Sequence, residues 1–135
     1  MNEDKPCGKH VKEIPALVDG GLVYLASPYS DPSPEVREHR FKEACKAAAM
    51  LMSYGINIFS PIAHTHPIAE FGLPKDWEFW EAFDRLYLEA SKGMIVLNLP
   101  GYLESKGVQA EIGIMKEMGK PVWYMANPDR DRVNK

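Results

Sequence analysis

The sequence predicts an α/β fold: a flavodoxin-like or Rossmann-like three-layer sandwich around a parallel sheet of four or five strands. Three observations predict it. Short apolar runs recur along the chain as "LVYLA", "INIFSP", "GMIVLNL" and "PVWYM". Segments of helical periodicity separate them. The runs are apolar throughout instead of alternating with polar residues, the pattern of strands covered on both faces. Right-handed crossovers leave few topologies, of which the central order 2-1-3-4 is favoured.

Each element has its own signal. Residues 1–20 mix charge, proline and glycine, and read as a mobile or loosely docked extension, with Pro15 to Val18 packing on the domain. Leu22 to Ala26 form the first strand, and "SPYSDPSP" the loop after it. Pro34 suits a first helical position with Ser33 as its cap. That helix runs to about Tyr54, where Gly55 stops it, and its Ala44, Ala47, Ala48 and Ala49 permit close approach to a sheet. "INIFSP" is the second strand. Ile62 to Lys75, with "HTHP" and "FGLP", read as a long loop. Asp76 can cap a second helix ending near Ser91, before the third strand "GMIVLNL" and the loop "PGYLES". Ser105 opens a third helix that stops near Gly119, and "PVWYM" is the fourth strand. Residues 21–126 are therefore one domain, and 127–135 a polar tail.

Composition narrows the function classes. The 135 residues are 45% hydrophobic and 26% charged, so a packed core is expected. A net charge of -3 argues against general attraction to nucleic acid or anionic membrane. Cys7 and Cys45 resemble neither a disulfide framework nor a zinc site. No signal peptide or membrane span is evident, so a cytoplasmic protein is expected.

Two carboxylates break the helical pattern. In the third helix Val108, Ile112, Ile114, Met115 and Met118 share a face, and Glu111 falls within its arc. In the second, Trp77, Trp80, Phe83, Tyr87 and Leu88 make the apolar face, with Asp84 between Trp80 and Leu88. At ~1.5 Å rise per residue, both acids lie beneath the C-terminal edge of the sheet, where ligands of such folds bind. Burying an ionised carboxylate costs several kcal/mol unless it is paired. The structural reading supplies partners: Arg40, Lys106, a tyrosine hydroxyl or a backbone N–H. The functional reading is a shared site, with Tyr24 of the first strand as a hydroxyl that bonds a catalytic carboxylate.

The loops at that edge hold further candidates. Ser27, Pro28 and Tyr29 follow the first strand, and Asn98 follows the third. "ASPYSDP" has prolines where a dinucleotide or triphosphate loop has glycines. His64 and His66 form an H-x-H pair without a clear third ligand, so His66 reads as a lid contact or as ordinary loop structure. Trp77 is either core or a platform for a nucleobase.

Three stretches, "VYLASPY", "FDRLYLEASKGMIVLNL" and "SKGVQAEIGIMKEMGKPV", together resemble the nucleoside 2-deoxyribosyltransferase-like superfamily over about residues 22–125. The resemblance is closest to a branch of small, largely uncharacterised bacterial proteins. It implies that Glu111 is a nucleophile attacking the anomeric carbon of a 2-deoxyribosyl group, with Asp84 and Tyr24 matching the family's aspartate and tyrosine. Nucleoside-acting members carry an aspartate six positions before the nucleophile, where this chain has Ser105. A serine there is similar to the branch that hydrolyses deoxynucleoside 5′-monophosphates, where it helps hold the phosphate. Gly107 belongs to the same motif.

The expected activity is cleavage of an N-glycosidic bond in a nucleoside or its 5′-monophosphate, by hydrolysis or deoxyribosyl transfer, with no metal or organic cofactor. Nucleic acid and membrane are not expected partners. Apolar residues without a clear place in so small a core, among them Phe71, Trp77 and Tyr102, point to a homodimer or tetramer. The alternatives are a non-catalytic nucleotide or nucleotide-sugar binding protein on the same fold, a structural or partner-binding protein, and a metal hydrolase using His64 and His66.

Overall fold

Alternate residues of the first strand, β1 (Leu22–Ala26), enter two separate cores. Val23 and Leu25 pack on one face of the sheet; Tyr24 and Ala26 pack on the other. The computed structural model describes residues 11–126. Its further strands are β2 (Asn57–Phe59), β3 (Gly93–Leu97) and β4 (Val122–Met125). All pair in parallel in the order β2-β1-β3-β4, the topology the crossover rule favours. Five helices accompany them: α1 (Ile14–Leu17), α2 (Pro34–Ser53), α3 (Pro61–Ala69), α4 (Trp77–Ala90) and α5 (Lys106–Glu117).

The first core joins β1, β3 and β4 to α2 through Ala47, Ala48 and Leu51. Ala44 is also buried, whereas Ala49 faces solvent, one helical step off the sheet-facing stripe. Ile14 is completely buried in this core and Val18 nearly so. The packing expected around Pro15 to Val18 is thus made by Ile14 and Val18, and the chain from Ile14 onward is part of the packed domain. Gly20 adds a tie, accepting a hydrogen bond from the Asn57 side chain at 2.9 Å. Residues 1–10 and 127–135 lie outside the described residues, and with them Cys7 and the polar tail.

The second core joins Tyr24, Met94, Val96 and Val122 to α4 through Leu88 and to α5 through Val108, Ile112, Ile114 and Met115. Met118 caps the end of α5 and is about a third exposed, so the fully buried stripe stops one turn before the sequence pattern does. Gly93 makes room for β4: a Cβ there would stand 2.9 Å from the Trp123 ring and 3.3 Å from Pro121.

Helix α3 is the main departure from the sequence reading, which made this segment a loop. Ser60 caps it by accepting from the Ala63 N–H at 3.1 Å, and Pro61 occupies the first turn, where its missing N–H costs nothing. Pro67 lies inside the helix, which ends two residues later. At α4, Asp76 holds the N-cap position but its side chain makes no capping hydrogen bond. Ser105 does cap α5, accepting from the Val108 N–H at 3.2 Å. Among the described residues no helix is long and apolar enough to cross a membrane.

Candidate functional site

At the C-terminal edge of the sheet, the loop after β1, the inner face of α3 and the N-terminal halves of α4 and α5 enclose a pocket of about 330 Å³. Asp84 and Glu111 both line it. They are 7% and 5% exposed, while Tyr24 behind them is fully buried. The parallel register sets Tyr24 beside Met94 and Phe59, on the face that α4 and α5 cover. From there its hydroxyl donates to Glu111 Oε2 at 2.6 Å. Of the structural partners considered for Glu111, the tyrosine is the one present. Arg40 donates to the carbonyls of Ser30 and Pro100, and Lys106 pairs with Glu78. Among the described residues neither buried acid forms an ion pair with a basic side chain.

The electrostatics follow from that enclosure. Burial raises the Asp84 pKa to about 6, against the lowering effect of hydrogen bonding with Glu111 and Tyr24. Glu111 is held well above the usual carboxylate range, first by burial and then by the negative charge of Asp84, while the Tyr24 hydroxyl pulls it down. The Tyr24 hydroxyl is itself pushed up by burial and by both acids, and stays protonated as a donor. Two interacting acids in a poorly solvated site retain a proton between them more readily than either would alone. Both acids of the pair are therefore raised, Glu111 as well as Asp84.

Two buried oxygens on the pocket wall have no hydrogen-bond partner: Asp84 Oδ1 and Ser27 Oγ. An unsatisfied buried polar atom costs about 1–3 kcal/mol, and native proteins hold few of them. A ligand with hydroxyl or N–H groups would satisfy both.

Other sequence candidates are placed as follows. Tyr29, Trp77, Ser105 and Gly107 line the same pocket as Ser27 and the two acids. Trp77 lies against Gly107, where a Cβ would meet the indole at 3.5 Å, so the glycine lets α4 and α5 approach at the pocket wall. Pro28 is buried next to Ser27 and does not reach the cavity. His66 is buried behind Tyr29 and does not line it either. His64 and His66 diverge from α3: His64 stacks toward Phe83, and His66 bonds Tyr29 and Glu38. Asn98 opens onto a separate depression with Tyr102, Gln109 and Tyr124.

Sequence reasoning missed the α3 wall of Ile62, Thr65 and Ala69, together with Lys75 and the pocket role of Trp80. The signal for α3 was present in "SP" at Ser60-Pro61, the same cap-and-proline pair that announces α2 at Ser33-Pro34.

Residues 21–127 match a family model described as a domain of unknown function, DUF1937. No curated protein matches the chain.

Proposed function

The chain belongs to the DUF1937 family, and we propose that it cleaves the N-glycosidic bond of a nucleoside or nucleoside 5′-monophosphate through Glu111. The observation that carries this reading is the Glu111 carboxyl, buried at a pocket wall, bonded by Tyr24 and lying within the field of Asp84. It fits a retaining mechanism, in which two carboxyl groups flank the scissile bond and one of them attacks.

A Glu111 oxygen attacks C1′ while the C1′–N bond breaks, and its electron pair leaves with the base. The proton of the acid pair shifts from Glu111 to Asp84, which frees the Glu111 carboxylate, and passes from Asp84 to the departing nitrogen. Water, or a second base, then attacks C1′ of the glycosyl ester, and Asp84 takes the proton released. Tyr24 holds the Glu111 carboxylate toward C1′ and stabilises its charge in the ground state and on release. The pair supplies both nucleophile and acid, so the chemistry calls for no metal or organic cofactor. Ser105 and Gly107, at the start of α5, are the residues we assign to a 5′-phosphate.

The test is a screen of purified protein against deoxynucleosides, ribonucleosides and their monophosphates, read as free base by chromatography. Base release from at least one of them, lost in Glu111→Gln, is the expected result. Absence of release across the panel would refute the activity. One observation favours a second reading, ligand binding without turnover: a Glu111 that stays protonated is no nucleophile. That reading predicts saturable binding without base release, and binding that survives Glu111→Gln.

We also read the protein as a cytoplasmic homodimer or tetramer. Trp77 and Tyr102 pack against the second core instead of standing free of it, but Phe71 is 91% exposed, and Leu86 and Leu103 are each 65% exposed, apolar surface that a second copy would cover. Light scattering at micromolar concentration tests this, and a monomer would refute it.

A further inference from the structure

Three polar side chains around the α3 side of the pocket have their protons committed to the protein, while the Lys75 ammonium at its rim makes only long bonds, to the Ala69 and Leu73 carbonyls at 3.4 and 3.5 Å. The Thr65 hydroxyl donates to the Pro61 carbonyl at 2.8 Å. The Trp80 indole N–H donates to the Pro74 carbonyl at 2.8 Å, and the Ser30 hydroxyl donates to the Lys75 carbonyl at 2.6 Å. A carbonyl can only accept, so the direction of all three is fixed.

Tyr29 completes the set. Its hydroxyl lies 2.7 Å from His66 Nδ1, and His66 Nε2 lies 2.9 Å from Glu38 Oε1. The imidazole is 6% exposed and stacked on Phe41 at 4.4 Å, which holds its plane. A carboxylate beside Nε2 calls for the proton there. In that tautomer Nδ1 carries a lone pair, which accepts from Tyr29. The Tyr29 hydroxyl therefore spends its proton on His66 and, with the Arg37 guanidinium beside it, keeps a lone pair for the cavity it lines.

We propose that the α3 side of the pocket selects a ligand that donates hydrogen bonds, an amino-bearing heterocycle, with Tyr29 as the specificity-determining acceptor held in place by His66 and Glu38. The inference rests on the reading that the pocket holds a nucleoside or nucleotide. It names the base class: a ring with an exocyclic amino group is accepted, and one offering only lone pairs at that position is rejected. An acceptor placed against lone pairs leaves both unsatisfied, and that mismatch discriminates more strongly than a missing methylene does. Ile62 and Ala69 supply the apolar surface against which the ring lies.

Two measurements test it on the full-length protein. The first is ¹⁵N NMR of the histidines at neutral pH. The expected spectrum shows His66 protonated at Nε2 and unprotonated at Nδ1; a proton on Nδ1 would free the Tyr29 proton for the cavity and overturn the proposal. The second is calorimetric titration with deoxyadenosine against its 6-methoxypurine analogue, and deoxycytidine against its 4-methoxy analogue. The amino member of at least one pair binds about tenfold more tightly than its methoxy partner. In Tyr29→Phe that ratio falls to near one. Equal binding within both pairs overturns the selectivity and leaves the nucleoside reading standing. Binding of none of the four overturns the nucleoside reading, and the selectivity with it. An unchanged preference in Tyr29→Phe removes Tyr29 from the role.

Discussion

The Tyr24 hydroxyl donates to Glu111 Oε2 at 2.6 Å inside the protein, joining β1 to α5 across 87 residues of sequence. The bond stabilises the ionised form of a carboxyl that burial and Asp84 push toward protonation. Removing the donor in Tyr24→Phe therefore raises the Glu111 pKa further. The rate of base release should fall about 10- to 100-fold, on the scale of a lost charge-stabilising donor, and the acid limb of the pH–rate profile should move to higher pH. A profile unmoved by the substitution would remove Tyr24 from this role.

Asp84 makes a pH-dependent cost to stability. It titrates at about 6 in the folded protein against an ordinary value of 3.8, so between these values the folded state holds more protons than the unfolded state. Stability therefore falls as pH rises through that window, and the whole cost is present above it. At about 1.4 kcal/mol per pKa unit, the cost is on the order of 3 kcal/mol at most. Asp84→Asn removes the charge and keeps the shape. Thermal melts should show the variant more stable than wild type at pH 8 and little different at pH 4, with base release abolished. A loss of stability at pH 8 would contradict this account of the acid pair.

The N-terminal segment tests the packing. Ile14 is fully enclosed in the core beneath α2. Ile14→Ala should lower unfolding free energy by about 2–5 kcal/mol, as for other large-to-small core changes. Urea denaturation reads this directly, and a change below about 0.5 kcal/mol, the range of surface substitutions, would return the segment to a loose extension.

Most of the fold was legible because its signals are local. The apolar strands, the Ser33-Pro34 start of α2 and the Ser105 cap of α5 can each be read from a few residues. The two acids were legible for the same reason, since each breaks a helical stripe otherwise made of apolar side chains. Helix α3 was not, because Pro67 and two histidines obscure its short pattern. The Tyr29–His66–Glu38 chain was not legible either: residues 28 and 37 positions apart meet only after α2 and α3 have packed. Asn98 shares the right sheet edge, yet opens onto a different depression. Edge membership can be read from topology, and side-chain direction cannot.

Ser105 has two separable roles. It caps α5 through the Val108 N–H and lines the pocket. Ser105→Ala should cost about 1 kcal/mol of stability from the lost cap. It should also weaken a deoxynucleoside 5′-monophosphate by more than it weakens the parent nucleoside. Equal weakening of both ligands in a binding titration would remove the phosphate role and leave the cap.

The central claim is that Glu111 becomes covalently bonded to the sugar. The most direct measurement is acid quench during turnover of the best substrate, followed by mass analysis of peptides. The account predicts a peptide bearing Glu111 heavier by one sugar residue, or one sugar phosphate, and no such adduct in Glu111→Ala. Base release that continues undiminished in Glu111→Ala, or an adduct on another residue, would contradict it.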